Sequence, residues 1–240
     1  MLKLEIQKQN QENTMYRYRL KLIKNKELRF ISHLDWQSLI LKIFRRLELK
    51  LVLSEGFNKM PKVSYSPALP LFIESECELV NFQTYDKLDE TFVEKFENTS
   101  PNGLKVVSFC EITDEIRSSE PKSLENYVQW AKYEARLMDE KNHVYNSEKI
   151  RYIIEKCLSS DGFLITNKTK KGIEKTLNYR KSIHSLEMND DGVLVFILKT
   201  GQNESIPALR ADDFLKKIFE DSNIFRIKRI EFFDTNLRVI

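Results

Sequence analysis

"YRYRLKLIKNKELRFISHLDWQSLILKIFRRL", residues 16–47, changes its hydrophobic period partway along. Tyr16, Tyr18, Leu20 and Leu22 alternate with Arg17, Arg19 and Lys21, the two-residue period of a half-buried strand with one basic face. From His33 the apolar residues Trp36, Ile40, Ile43, Phe44 and Leu47 recur every three or four positions, while Lys42, Arg45 and Arg46 fall mostly elsewhere. That pattern predicts an amphipathic helix over His33–Leu47 with a cationic outer side. Ser32 is a suitable cap for it, and Asp35 occupies the third helical position of a capping box.

The same assignment disposes of a Ser-His-Asp triad at "FISHLDWQ". Ser32 and Asp35 are explained by capping, and a triad needs its three groups to converge in space, which an imidazole beside Ser32 on the turn does not do. His33 is then left without an assigned role. Near the positive end of the helix its neutral form is favoured.

Downstream, "LVLSEGFNKMPKVSYSPALPLFIESECELVNF" predicts a short strand, a turn at Ser54 to Asn58, an extended segment from Lys62 to Ser66, a proline-bounded loop and a strand from about Ser75 to Phe82. A helix near Asp86 to Glu97 carries Leu88, Phe92, Val93 and Phe96, and Leu104 to Ile112 returns as a strand. The order β-α-β-β-α-β is the ferredoxin-like arrangement. Residues 113–125 read as a polar linker, and the order then starts again. A strand is expected at 127–138 and a helix from Asn146 to Leu158 with Ile150, Ile153, Ile154 and Cys157 inward. Extended segments at 163–169, 173–188 and 193–199, a helix from Ala211 to Phe219 and a last strand at "IFRIKRIEFF" complete it. The expected fold is α+β, two tandem ferredoxin-like units spanning 16–112 and 126–240, the second carrying more strand than the minimal pattern. Residues 1–15 are expected to be a loose tail, the true start being Met1 or Met15.

Composition narrows the chemistry. With 41% hydrophobic and 31% charged residues in 240, the chain has the balance of an ordinary globular protein, and 39 basic against 36 acidic residues leave a net charge of +3. A chain this lightly charged binds anions only where its cations are grouped. Six glycines include no GxGxxG or GxxxxGK[ST] phosphate loop. Cys77, Cys110 and Cys157 stand far apart with no CxxC, and His33, His143 and His184 are isolated, so no metal site or cofactor is expected. With no long apolar run, no membrane association is expected and the cytoplasm is the expected location.

Three regions are candidates for recognition. Arg17, Arg19, Lys21, Trp130, Lys132, Arg226 and Lys228 fall on the strands, and an open ferredoxin-like sheet can bind RNA through aromatic and basic side chains, though neither RNP consensus occurs. "TNKTKKGIEK" sets Lys168, Lys170, Lys171 and Lys175 around Gly172, either to meet successive phosphates or simply to be solvated. "SEGFNKMPKVS" gathers Glu55, Asn58, Lys62 and Ser64 beside Phe57, with Gly56 permitting an unusual backbone. This loop is either a ligand-binding element or a rigid turn. Acid–base work by Glu55 or Glu74 is selected by nothing in the sequence.

The string "RFISHLDWQSLILKIFRRLELKLVLSEGFNKMPKVSYSPALPLFIESECE" resembles the radical SAM-associated DUF2344 family. The resemblance rests on Arg29, Phe30, Ser32, His33, Leu34 and Asp35, the pair Arg45 and Arg46, Ser54 to Asn58, Pro61, Lys62, Ser64, Leu69 to Leu71, Ser75 and Glu78. Softer matches continue through "SPNGLKV", "AKYEARL", "TKKGIEK" and "LRADDFLKKIF". Lys59, Met60 and Phe72 depart from the pattern. The resemblance implies a domain fused to, or encoded with, a radical SAM protein, often near genes of RNA and ribosome metabolism, and implies no established reaction. This chain lacks a CxxxCxxC cluster, so radical chemistry would belong to another chain. The expected role is substrate recognition, with RNA as the substrate and His33, Arg45, Arg46, Glu55, Asn58, Lys62, Ser64, Lys170 and Lys171 as the contacting residues. The competing roles are a metal-independent ribonuclease using His33 as acid or base, and a pure protein adaptor.

Overall fold

The computed structural model describes residues 14–119, 123–138, 146–168, 172, 174–201, 205–219 and 225–240. It is a mixed α+β structure with a mostly antiparallel sheet. The chain divides into two compact units, one built from the residues up to Leu71 together with Ser75–Glu125, the other from Phe72–Glu74 and Asn126–Ile240.

In the first unit β1 (Tyr16–Lys24) leads to α1 (His33–Arg46), followed by β2 (Val63–Tyr65), β3 (Glu74–Thr84), α2 (Thr91–Thr99) and β4 (Leu104–Glu111). The strand order is β4-β1-β3-β2. Alternation puts Tyr18, Leu20 and Leu22 against the helices, where they meet Trp36, Ile40, Ile43 and Phe44 of α1 and Phe92 and Phe96 of α2. Aromatic rings knit this core, Phe44 to Phe82 at 4.6 Å and Phe92 to Phe109 at 5.0 Å between centroids. Each such buried ring contributes about 1.5–3 kcal/mol by leaving water.

Local chemistry moves several boundaries. The capping box at α1 is complete: Asp35 N–H donates to Ser32 Oγ and Ser32 N–H donates to Asp35 Oδ2. Ahead of it Lys26–Phe30 forms a 3-10 turn with no apolar period to announce it. The short strand expected after α1 is reduced to two isolated bridges, Leu51 with Thr84 and Leu53 with Pro61. The second helix begins at Thr91, later than Asp86, because Asp86 accepts from the Lys50 and Thr84 groups and Leu88 N–H is taken by the Tyr18 hydroxyl. The segment read as a linker carries two short helices, α3 (Asp114–Ser119) and α4 (Leu124–Tyr127).

The second unit contains β5 (Trp130–Leu137), α5 (Ser147–Ser159), β6 (Leu164–Lys168), β7 (Glu174–Asn178), β8 (Ile183–Met188), β9 (Leu194–Lys199), α6 (Ala211–Phe219) and β10 (Phe225–Phe233). Its main strands run in the order β10-β5-β9-β8. The strand expected at 127–138 starts only at Trp130. The extended run expected at 173–188 is broken by a 3-10 turn at Arg180–Ser182, where Asn178 Oδ1 accepts both Phe163 N–H and Arg180 N–H. As a result β6 and β7 form a separate hairpin. Tyr133 stacks on Phe196 at 5.5 Å, and Phe214 of α6 meets Phe196 at 5.2 Å. Of the four residues expected to face inward from α5, Ile150 and Cys157 are buried, whereas Ile153 and Ile154 are only half-buried.

Candidate functional site

The SEGFN loop is a closed structure held by its own backbone. The Leu53–Pro61 bridge clamps its base, Ser54 N–H donates to Met60 O at 2.7 Å, and Met60 N–H donates to Ser54 Oγ at 3.0 Å. Gly56 stands at φ +122° with open space where a Cβ would be, so conformation and not crowding requires glycine there. At the tip the Phe57 ring is fully exposed (102%), Met60 is 60% and Leu53 45% exposed, and Glu55, Asn58 and Lys59 face solvent. A rigid turn that satisfied only its own backbone would not need an aromatic ring there.

Lys62 and Ser64 belong to the stem. Lys62 is half-buried, with its N–H donating to Val52 O and its carbonyl accepting from Gln83 N–H. Ser64 lies on β2 opposite Asn81 of β3, whose side chain accepts from Arg19 Nε at 2.8 Å. Ser64 Oγ accepts Leu124 N–H at 3.1 Å, so this expected contact residue serves as a cap for a short helix.

His33, the first residue of α1, sits 2.9 Å through Nε2 from the Gln37 side-chain amide and edge-on to the Tyr65 ring at 6.3 Å. Tyr65 donates its hydroxyl to Gln37 O at 3.3 Å, and burial pushes its ionisation well above the usual tyrosine range. Around this helix end lie two buried charged side chains that the periodic reading left unassigned. Lys24 is 1% exposed; its ammonium donates to Ile31 O at 3.2 Å and lies 5.6 Å from the Trp36 ring centroid. Glu78 is also 1% exposed and accepts from Ser66 Oγ at 3.2 Å, while Ser66 Oγ in turn accepts Leu79 N–H. The alternation of β1 did contain a signal, because Lys24 shares the phase of Leu20 and Leu22 and must point inward.

Arg45 and Arg46 are exposed in the last turn of α1, where cations complement the helix dipole. Twelve residues of helix separate Arg45 from His33, about 18 Å along the axis. One compact ligand does not touch both ends. Lys170 and Lys171 lie outside the described residues.

In the second unit the polar cluster is different. Lys199 is 2% exposed and faces Trp130 across the β5–β9 ladder, its ammonium 5.5 Å from the indole centroid and hydrogen-bonded to Gln129 Oε1. His184 meets the same indole edge-on at 5.8 Å. Glu74 is engaged by Arg226, with Nη2 to Oε1 at 2.9 Å. That pairing accounts for Glu74 without acid–base work.

Among the described residues no group of three or more His, Cys, Asp or Glu side chains could hold a metal ion, and no helix is long and apolar enough to cross a membrane. A family model described as "Uncharacterized protein conserved in bacteria (DUF2344)" matches residues 17–208. No curated protein matches the chain.

Proposed function

Because the chain belongs to the DUF2344 family of uncharacterized bacterial proteins, we propose that it is a recognition module that binds RNA and presents it to a separate radical SAM protein in the cytoplasm. The observation that carries the RNA reading is Phe57, a fully exposed ring on a loop closed by its own hydrogen bonds. Base stacking on such a ring contributes about 1–3 kcal/mol per base, and a preformed loop loses little conformational freedom on binding. Lys59 is exposed beside the ring and Asn58 can offer both a donor and an acceptor to a base edge. The fold reading that goes with this function is two ferredoxin-like units in tandem. It is supported by the strand order in each unit: last strand, first, third, second, with β6–β7 inserted ahead of the second strand of the later unit. The radical SAM partnership rests on the motif resemblance alone.

The test is fluorescence anisotropy with a labelled single-stranded RNA. Affinity is expected to fall steeply between about 50 and 200 mM salt. Phe57→Ala is expected to weaken binding by about 5- to 150-fold with no change in melting temperature. A flat salt response, or an unchanged affinity in Phe57→Ala, removes the RNA reading. Copurification of a radical SAM protein that survives nuclease treatment, with no RNA enriched, makes the chain an adaptor instead.

A further inference from the structure

A groove of about 600 Å³ runs along the second unit between α5 and β8, lined by Arg151, Ile154, Glu155 and Leu158 from the helix and by Leu186, Glu187 and Met188 from the strand. Its helix residues fall at three- and four-residue spacing, one face of α5, which explains why Ile154 is only half-buried and Leu158 is 37% exposed. The strand wall is an edge: β8 pairs with β9, and no second pairing partner is present among the described residues.

Edges of natural sheets are blunted by lysine, proline, bulges or shortness. In the first unit β2 has three residues between Pro61 and Pro67, and β4 carries Lys105 with a break in register beside it. By contrast β8, "IHSLEM", has neither lysine nor proline, and after the irregularity at His184 the residues Ser185–Met188 pair with β9 in unbroken register. The regular stretch Ser185–Met188, an edge without lysine or proline beside an apolar helix face, has the geometry that accepts an added strand.

We propose that this groove binds an extended segment of a partner protein, added as a further strand on β8, with apolar and basic side chains in alternation. The alternation follows from the walls. Leu186 and Met188 share one face of β8, and together with Ile154 and Leu158 they form an apolar floor for every second side chain of the incoming strand. Glu187 lies on the other face, so the side chains between the apolar ones meet a carboxylate and are basic, while Arg151 and Glu155 on the helix wall offset one another. A second copy of β8 fits poorly, because two such edges would bring Glu187 against Glu187 and no lysine to either. The strand is six residues long, about 20 Å, which sets the partner segment at five or six residues. This surface is independent of what the SEGFN loop binds.

The test uses the full chain and a labelled peptide of alternating lysine and valine, read by anisotropy. Glu187→Lys and, as a second variant on the apolar floor, Leu158→Lys are each expected to weaken it at least about tenfold while melting at the wild-type temperature. Two control peptides are expected to lose a similar factor: one with proline in place of the central valine, which removes a ladder hydrogen bond, and one with glutamate in place of lysine. On binding, backbone amides of β8 should exchange with deuterium more slowly. Equal binding of the proline peptide, no binding of the parent peptide, or unaltered exchange in β8 each overturns the proposal.

Discussion

Lys199 and Trp130 stand opposite one another in the β5–β9 register, with the ammonium 5.5 Å from the indole centroid and almost no solvent access. The side chain remains positively charged at neutral pH only against a desolvation penalty, and burial lowers its pKa from the ordinary 10.5. Cation–π attraction and the Gln129 oxygen offset part of that penalty.

A stability profile against pH follows. Between the lowered folded pKa and 10.5 the unfolded chain holds more protons than the folded one at this position, so stability rises as pH climbs through that window. Tyr65 works in the opposite sense above pH 10, where its raised folded pKa means that unfolding releases a proton. Cys157, whose thiol burial raises from 9.0, works against this above pH 9, so as pH climbs toward 10 the urea midpoint should rise more, or fall less, in the wild type than in Lys199→Met. Parallel profiles would mean that the ammonium is not desolvated as its burial indicates. At neutral pH the same substitution is expected to be nearly neutral, since it relieves a buried charge and leaves the Gln129 oxygen, in a residue 5% exposed, without its donor.

Two glycines should respond differently to alanine. At Gly201 a Cβ would lie 2.0 Å from Val128 O, while the Gly201 N–H donates to Gln129 O, so the backbone is held where no side chain fits. Gly201→Ala is expected to lower stability by at least about 2 kcal/mol, visible as a large drop in melting temperature. Gly56→Ala meets open space but must hold φ at +122°, a strain of about 1–3 kcal/mol confined to the loop. It should reduce RNA affinity more than it reduces global stability. A drop in melting temperature as large as that of Gly201→Ala would show that the loop is part of the core's support.

His33→Ala separates recognition from catalysis. The imidazole is engaged by the Gln37 amide and faces the Tyr65 ring, and its loss is expected to cost about 1 kcal/mol of stability with RNA binding nearly unchanged. Incubation of labelled RNA with wild type and variant should give the same yield of intact strand. Cleavage by the wild type that vanishes in His33→Ala, with binding retained, would establish the ribonuclease alternative.

The parts of the fold governed by a single strong period were legible in the sequence. The alternation of Tyr18, Leu20 and Leu22 and the spacing of Trp36, Ile40, Ile43 and Phe44 lead directly to β1 and α1, and Ser32 with Asp35 marks where one becomes the other. What stayed hidden was decided by hydrogen bonds between distant residues. Asp86 delays α2 by accepting Lys50 N–H, and Asn178 divides one extended run by binding Phe163 and Arg180. At the candidate site the same division holds. The glycine conformation of the SEGFN loop was readable from its residue type, whereas the exposure of the Phe57 ring was not, and Ser64's bond to Leu124 spans sixty positions and has no local mark. Lys24 was left unassigned for another reason: the alternation was followed only through its apolar members, so a charged residue in the inward phase was passed over.

The β6–β7 hairpin pairs strand to strand within itself, among the described residues, and enters between α5 and β8 without joining the ladder of the main sheet. An appendage attached in this way can grow, shrink or change its charge without shifting the register of any strand in that ladder. Substitutions confined to it are therefore expected to leave the pairing of the main sheet intact.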